Sequence, residues 1–173
     1  MVRKSQKNTN VYNPFKTSFY IKRKPYSIGY LYKKAAVMNE RSLKLLEIRP
    51  VIANARILPN MSEQEHFQNQ TLRPILKLQN DLLLASFQNY IIKTKNRFHE
   101  LKKEARTDYI ANAVQKDIKY RNSLKGIILG QFTLEEYEDY RKNSSALNKR
   151  MMSMAVKRLQ DQVQFFEEAA LLQ

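Results

Sequence analysis

Residues 72–91, LRPILKLQNDLLLASFQNYI, carry the pattern that decides the fold of this chain. Apolar side chains recur in this stretch at helical spacing and form one broad face: Leu72, Ile75, Leu76, Leu82, Leu83, Phe87, Tyr90 and Ile91. Upstream, Ser62 and Glu65 have the spacing of a capping box, in which each side chain accepts a hydrogen bond from the other residue's amide. The pattern predicts a helix from about residue 62 to 97, which Pro74 could kink or restart.

Similar patterns predict three more helices. A long one from about residue 102 to 129 is marked by apolar side chains at Ile110, Val114, Ile118, Leu124 and Ile128. Gly130 would close its last turn in a left-handed conformation. Thr133 and Glu136 form a second capping box, which opens the short helix LEEYEDYRK. A last helix, capped by Ser144 or Ser145, has one apolar side: Leu147, Met151, Met154, Leu159, Val163 and Phe166.

Short connections between these helices favour antiparallel neighbours. We therefore expect residues 61–173 to form an all-α, antiparallel helical bundle of three long helices and one short one. Residues 38–60 are expected to hold a short helix, NERSLKLLEI, followed by an extended connector. Arg49-Pro50 would end that helix, because the residue before a proline is disfavoured in the helical region.

The composition agrees with an all-α fold. Only three glycines and five prolines occur among the 173 residues, which disfavours a turn-rich β sandwich. The chain has no cysteine, so disulfides, thiolate zinc sites and a cysteine nucleophile are excluded, and we expect a cytoplasmic protein. The most apolar runs, LLLASF and GIILG, are far shorter than the roughly 20 residues that cross a bilayer, so we expect no membrane span.

The first 37 residues differ from the rest of the chain. They contain nine lysines and arginines and no acidic residue, whereas the remainder has 22 basic and 16 acidic residues. Prolines and a glycine interrupt this segment, and its apolar residues do not recur at helical spacing. We therefore expect an irregular or disordered arm. Basic and aromatic side chains together can contact phosphates and stack on unpaired bases. The candidate RNA contacts of the arm are Lys16, Lys22, Arg23, Lys24, Tyr26, Tyr30, Tyr32, Lys33 and Lys34.

A second hypothesis is that the arm is translated upstream DNA. Lys, Asn, Tyr, Phe and Ile have codons made of A and T alone, and they supply 19 of the first 37 residues. Met38 would then be the natural start. Both hypotheses stay open at this point.

Three common motifs of nucleotide-binding proteins and hydrolases are absent from the sequence. GxGxxG, GxxxxGK[ST] and GxSxG do not occur. Glu63 and His66 have the i, i+3 spacing of a di-iron bundle, but the second histidine, His99, follows Asn96 at that spacing, so a second pair is missing. We expect no metal and no cofactor.

Two candidate sites lie on the second long helix. Its apolar line passes through Asp117 and Arg121, and Asp81 would come level with them if the first two long helices turn around near residue 100. Such a polar layer could fix the helix register as an ion-pair network, or bind a small molecule. Along the same helix, QKDIKYRNSLKG at residues 115–126 presents a polar face that is the candidate partner surface: Lys116, Lys119, Arg121, Asn122 and Lys125. A solvated helix face has the same pattern.

Four stretches of the sequence point to a family: RSLKLLEIRPVI, FQNQTLRPILKLQNDLL, NAVQKDIKYRNSLKGIILGQFTLEEYEDY and NSSALNKRMM. Over residues 38 to 163 the chain resembles a family of small bacterial proteins of unknown function, some of which are labelled glyoxalase. That label implies a metal-dependent enzyme with paired βαβββ modules and His and Glu ligands, whereas the periods here are helical. The resemblance assigns no catalytic residue.

Three hypotheses about function follow. The first is a non-enzymatic helical protein, alone or as an oligomer, that binds a protein or RNA partner. In the second, the arm binds ribosomal or other RNA, with an affinity that falls steeply with salt. In the third, a small metal- or ligand-dependent enzyme uses the layer of Asp81, Asp117 and Arg121.

Overall fold

The computed structural model describes residues 39–53, 55 and 58–170, with side chains as far as Glu167. All of them belong to the second of the two units into which the chain divides, Asn39–Gln173. Within these ranges helices are the only regular secondary structure, which confirms the predicted all-α class. The arm of residues 1–37 lies outside the described residues.

The described helices are more numerous and shorter than predicted. In chain order they are α1 (Glu40–Glu47), α2 (Glu63–Phe67), a π-helical turn (Gln68–Leu72), α3 (Arg73–Leu78), α4 (Asn80–Lys93), α5 (Arg97–Glu100), α6 (Lys103–Lys116), α7 (Ile118–Leu129), α8 (Leu134–Lys142), α9 (Ser144–Gln160) and α10 (Val163–Ala170).

Both predicted capping boxes are present. Ser62 and Glu65 exchange their two hydrogen bonds at the start of α2, and Thr133 and Glu136 do so at the start of α8. Further along the first predicted helix, the π-helical turn directly precedes Arg73 and Pro74. A proline has no amide hydrogen and its ring clashes with the carbonyl four residues earlier, so an uninterrupted α-helix is not available there.

The second predicted helix is broken at Asp117, so the prediction of one helix from 102 to 129 is wrong. Asp117 has extended backbone angles, φ −80° and ψ 101°, and its side chain accepts a hydrogen bond from the amide of Tyr120 at 3.0 Å. Aspartate is a strong N-cap residue, and this side-chain bond competes with helix continuation. The expected left-handed Gly130 is also wrong, because its φ is −59°.

The break shifts which residues face the core. In a continuous helix the line through Ile110 and Val114 would continue to Ile118, but after the break the buried side chains are Tyr120, Leu124 and Ile128. Ile118 is therefore 62% exposed, contrary to its expected place on the apolar side. Leu82, expected on the apolar face of the first helix, is 52% exposed, since α4 buries Leu83, Leu84, Phe87 and Ile91 instead.

One core joins the long segments. Phe87 of α4 contacts Phe98 and Phe166, with ring centroids 5.9 and 4.9 Å away. Three further contacts join segments that are distant in the chain. Thr94 Oγ1 lies 2.8 Å from the Tyr109 hydroxyl, the ring centroids of Tyr90 and Tyr120 are 4.5 Å apart, and those of Phe67 and Phe132 are 5.5 Å apart. In the part of the chain that is described, no helix has the length and apolar character to span a membrane.

Candidate functional site

The predicted partner surface, here called the 116–125 face, consists of Lys116, Lys119, Arg121, Asn122 and Lys125. Lys116, Lys119 and Asn122 are exposed, and Arg121 and Lys125 are half-buried. None of its four cations forms an ion pair with an acid in the described ranges. The face is therefore a group of cations on the last turn of α6 and on α7 without local neutralisation.

The one carboxylate among residues 116–125 has other partners. Asp117 is the single acidic residue between Asp108 and Glu135 in the sequence. Its side chain caps α7 through the amide of Tyr120 and interacts with the hydroxyl of Tyr90. Burial, and then the charge of Asp117, raise the pKa of Tyr90 above the ordinary value. A carboxylate held by these partners does not pair with the lysines of the face.

Arg121 bridges the break between α6 and α7. Its Nη1 donates a hydrogen bond to the carbonyl of Gln115 at 3.2 Å, near the C-terminal end of α6, where carbonyls lack partners within the helix. The bond spans six residues across Asp117. This arginine thus helps to set the position of the face as well as contributing charge to it.

Several other helices of the described part carry ion pairs of their own. The pairs on single helices or at a helix end are Glu40 with Lys44, Glu138 with Arg141, Asp139 with Lys142 and Lys157 with Asp161. Glu167 pairs with Arg106 at 2.7 Å and lies 4.0 Å from Lys103. Helices α1, α8 and α9 each have at least one such pair, whereas the four cations of the 116–125 face have none in the described ranges.

The three residues of the expected polar layer do not bond to one another. Asp81 is exposed and accepts a hydrogen bond from Asn80 at 3.1 Å. Asn80 in turn exchanges hydrogen bonds with Gln162, at 3.2 and 2.8 Å, and accepts one from Arg158. The break at Asp117 takes Arg121 off the core line, which is why the expected line of polar residues is not continuous.

A buried ion pair that the sequence did not indicate lies at the other end of α7. Arg49 donates to both carboxylate oxygens of Glu136, at 2.5 and 2.7 Å, and to the carbonyl of Gln131. The hydroxyl of Thr71 and the amide of Thr133 also donate to Glu136. The Arg49 side chain is 2% exposed. The capping box was visible in the sequence, but Arg49 is 87 residues away from Glu136, and no local pattern reports such a contact.

Arg41 binds the same loop. Its two terminal nitrogens donate to the carbonyls of Phe132 and Gly130, at 2.9 and 2.6 Å. We call Arg41, Arg49 and Glu136 the arginine clasp. The clasp joins residues 41–49 to the loop between α7 and α8 and to the first turn of α8.

Metal ligands do not cluster in the described residues: no group of three His, Asp or Glu side chains there could hold a metal ion. Glu63 and His66 lie in the first turn of α2, where the acidic side chain favours the helix dipole. The nine RNA-contact candidates of the arm, from Lys16 to Lys34, lie outside the described residues. No family model matches this chain, and no curated protein or solved structure is significantly similar to it. The resemblance to a small bacterial family stays a prediction.

Proposed function

We propose that this protein is a non-enzymatic, cytoplasmic RNA-binding protein, built as an antiparallel helical bundle, whose 116–125 face contacts RNA phosphates. The supporting observation is the lack of an acidic partner for the four cations of that face in the described ranges, although Asp117 lies among them. Phosphate contacts by lysine and arginine supply most of the sequence-independent affinity for nucleic acids. The excess of basic over acidic residues from Met38 onward agrees with an anionic partner.

The test is a salt titration of RNA binding by the full chain, read by fluorescence anisotropy of a labelled RNA hairpin. We expect the triple substitution Lys116→Gln, Lys119→Gln and Lys125→Gln to weaken binding. If each lysine contacts one phosphate, the slope of log affinity against log salt falls in magnitude by about 2 to 3, since each contact contributes about 0.7 to 0.9.

The matched control removes the same charge from paired positions. Lys44, Lys142 and Lys157 each pair with an acid three or four residues away. Replacing these three lysines by glutamine is expected to change the salt slope far less. Equal slopes for the two triple variants would contradict the proposal, because net charge alone would then account for binding. A protein ligand captured by the same face, with no RNA binding, would also contradict it.

We propose the arm as a second RNA contact, on the strength of its nine basic residues, its aromatic residues and its lack of acids. In the full chain, Lys22→Gln, Arg23→Gln and Lys24→Gln remove three of these charges together. A loss of RNA affinity with these substitutions, and none with those of the 116–125 face, would assign the binding to the arm.

A further inference from the structure

The turn between α4 and α6, residues 94–102, contains an unusual backbone conformation. Lys95 and Asn96 have φ values of 58° and 57°, and they are the non-glycine residues with positive φ in the described part of the chain. This left-handed region suits glycine and is tolerated by asparagine. A lysine there costs free energy that a glycine would not.

The backbone of the turn does not depend on the Lys95 side chain. The amides of Lys95 and Asn96 donate to the carbonyls of Ile92 and Ile91, both at 3.0 Å, which is a common way to end a helix. The hydroxyl of Thr94 is within hydrogen-bond distance of the carbonyls of Tyr90 and Ile91. Glycine at position 95 could make the same backbone bonds with less strain, so the lysine is not explained by the turn itself.

The inner side of the turn is fixed by buried contacts. Phe98 is fully buried against Phe87 and Phe166. Arg106 lies over the Phe98 ring, 5.4 Å from its centroid, and donates to the carbonyls of His99 and Leu101. The turn is therefore held in one arrangement by the core beneath it.

The outer side of the turn is basic. Lys93, Lys95, Arg97 and Lys102 are all exposed, and none of them forms an ion pair with a described acid. The Nζ atom of Lys103 lies 4.0 Å from a carboxylate oxygen of Glu167. Glu100 and Glu104 are the acids of this stretch, against five lysines and arginines from residue 93 to 104.

We propose that this turn is a further phosphate-contact surface for RNA, with Lys95 at its centre. The inference adds a surface to the proposed function and rests on it for the class of ligand. Two observations support it: a lysine occupies a backbone position that disfavours it, and the neighbouring cations form no ion pair with an acid of the described residues. Cations on a backbone that is already fixed lose less freedom on binding than cations on a mobile loop.

The decisive variant is Lys95→Gly, because it separates folding from binding. Glycine relieves the backbone strain, so the melting temperature rises or stays unchanged, while the charge is lost. For the full chain and a fluorescein-labelled RNA hairpin, we expect the affinity to fall about threefold and the salt slope by about 0.7 to 0.9. When Lys93→Gln and Arg97→Gln are added to Lys95→Gly, we expect the salt slope to fall further in magnitude.

The matched control is Asn96→Gly, which changes the adjacent left-handed residue without changing charge. It is expected to leave RNA affinity at the wild-type value. If Lys95→Gly binds RNA as the wild type does, or if Asn96→Gly weakens binding as much, the inference is wrong.

Parallel measurements distinguish this failure from failure of the proposed function. A loss of affinity with Lys116→Gln, Lys119→Gln and Lys125→Gln, but none with Lys95→Gly, would support the 116–125 face as an RNA contact. It would overturn the proposal that the turn contacts RNA. The reverse result would support the turn and overturn the face. A third measurement uses vesicles of phosphatidylcholine and phosphatidylserine. If Lys95→Gly weakens vesicle binding and not RNA binding, the turn is not an RNA surface.

Discussion

Glu136 is a partly buried carboxylate that accepts several hydrogen bonds. Its two carboxylate oxygens accept hydrogen bonds from Arg49, Thr71 and Thr133, and so bring together three separate parts of the chain. Replacing one partner of a buried pair leaves the other charge without compensation, which costs far more than the pair itself contributes.

At this scale we expect Glu136→Gln to lower the free energy of unfolding by about 3 to 5 kcal/mol, because the charge of Arg49 would stay buried without its counter-ion. Urea denaturation measures the change. Glu138→Gln is the control, since its partner Arg141 is 62% exposed and its loss should cost much less. Similar losses for the two variants would show that the burial of the pair does not determine its importance. Replacing Arg49 and Glu136 together by Met and Leu should cost less than Glu136→Gln alone.

At the scale of elements, the junction of α6 and α7 is set by one aspartate. The cap of Asp117 on Tyr120 starts α7, and the bond of Arg121 to Gln115 ties α7 back to α6. The side chain that ends one helix therefore also determines which face of the next one is buried.

We expect Asp117→Ala to destabilise the protein by about 0.5 to 2 kcal/mol, through loss of the N-cap. Asp117→Asn keeps an acceptor for the Tyr120 amide and should cost much less, as asparagine caps about as well as aspartate. Thermal unfolding measures both. Because Asp117→Asn also removes the one acid among residues 116–125, the RNA affinity of this variant should equal or exceed that of the wild type. Equal destabilisation by the two substitutions would mean that the cap does not hold the junction.

The elements also mark the limit of what the sequence could predict. Helices and capping boxes were predictable, because their signals lie within a few residues of each other. The break at Asp117 was not, since Ile110, Val114 and Ile118 continue an apolar period through it, and a local cap overrode that period. The 116–125 face was identified by composition alone, whereas its lack of acidic partners among the described residues depends on the contacts that Asp117 makes.

At the scale of the molecule, the arginine clasp joins residues far apart in the chain. Arg41 reaches the carbonyls of Gly130 and Phe132 across 89 and 91 residues. Lysine has the same charge but a single nitrogen, which cannot match the two fixed donors of a guanidinium.

We therefore expect Arg41→Lys to weaken the docking of α1 without unfolding the core. In hydrogen–deuterium exchange, the amides of α1 should exchange faster, while those of α9 keep their protection. Lys44→Gln, which alters an exposed pair within α1, is the control. Unchanged exchange in α1 for Arg41→Lys would show that the bonds of Arg41 do not hold this helix in place.

The pairing of Arg49 with Glu136 also sets an order of events during synthesis. Arg49 is translated 87 residues before its counter-ion, a delay of about 4 to 17 seconds at about 5 to 20 residues per second. Over that interval the arginine has no carboxylate of α8 to bind, and residues 41–49 cannot take their final place. The helix that comes first in the described chain therefore cannot complete its docking until the start of α8 has been synthesised.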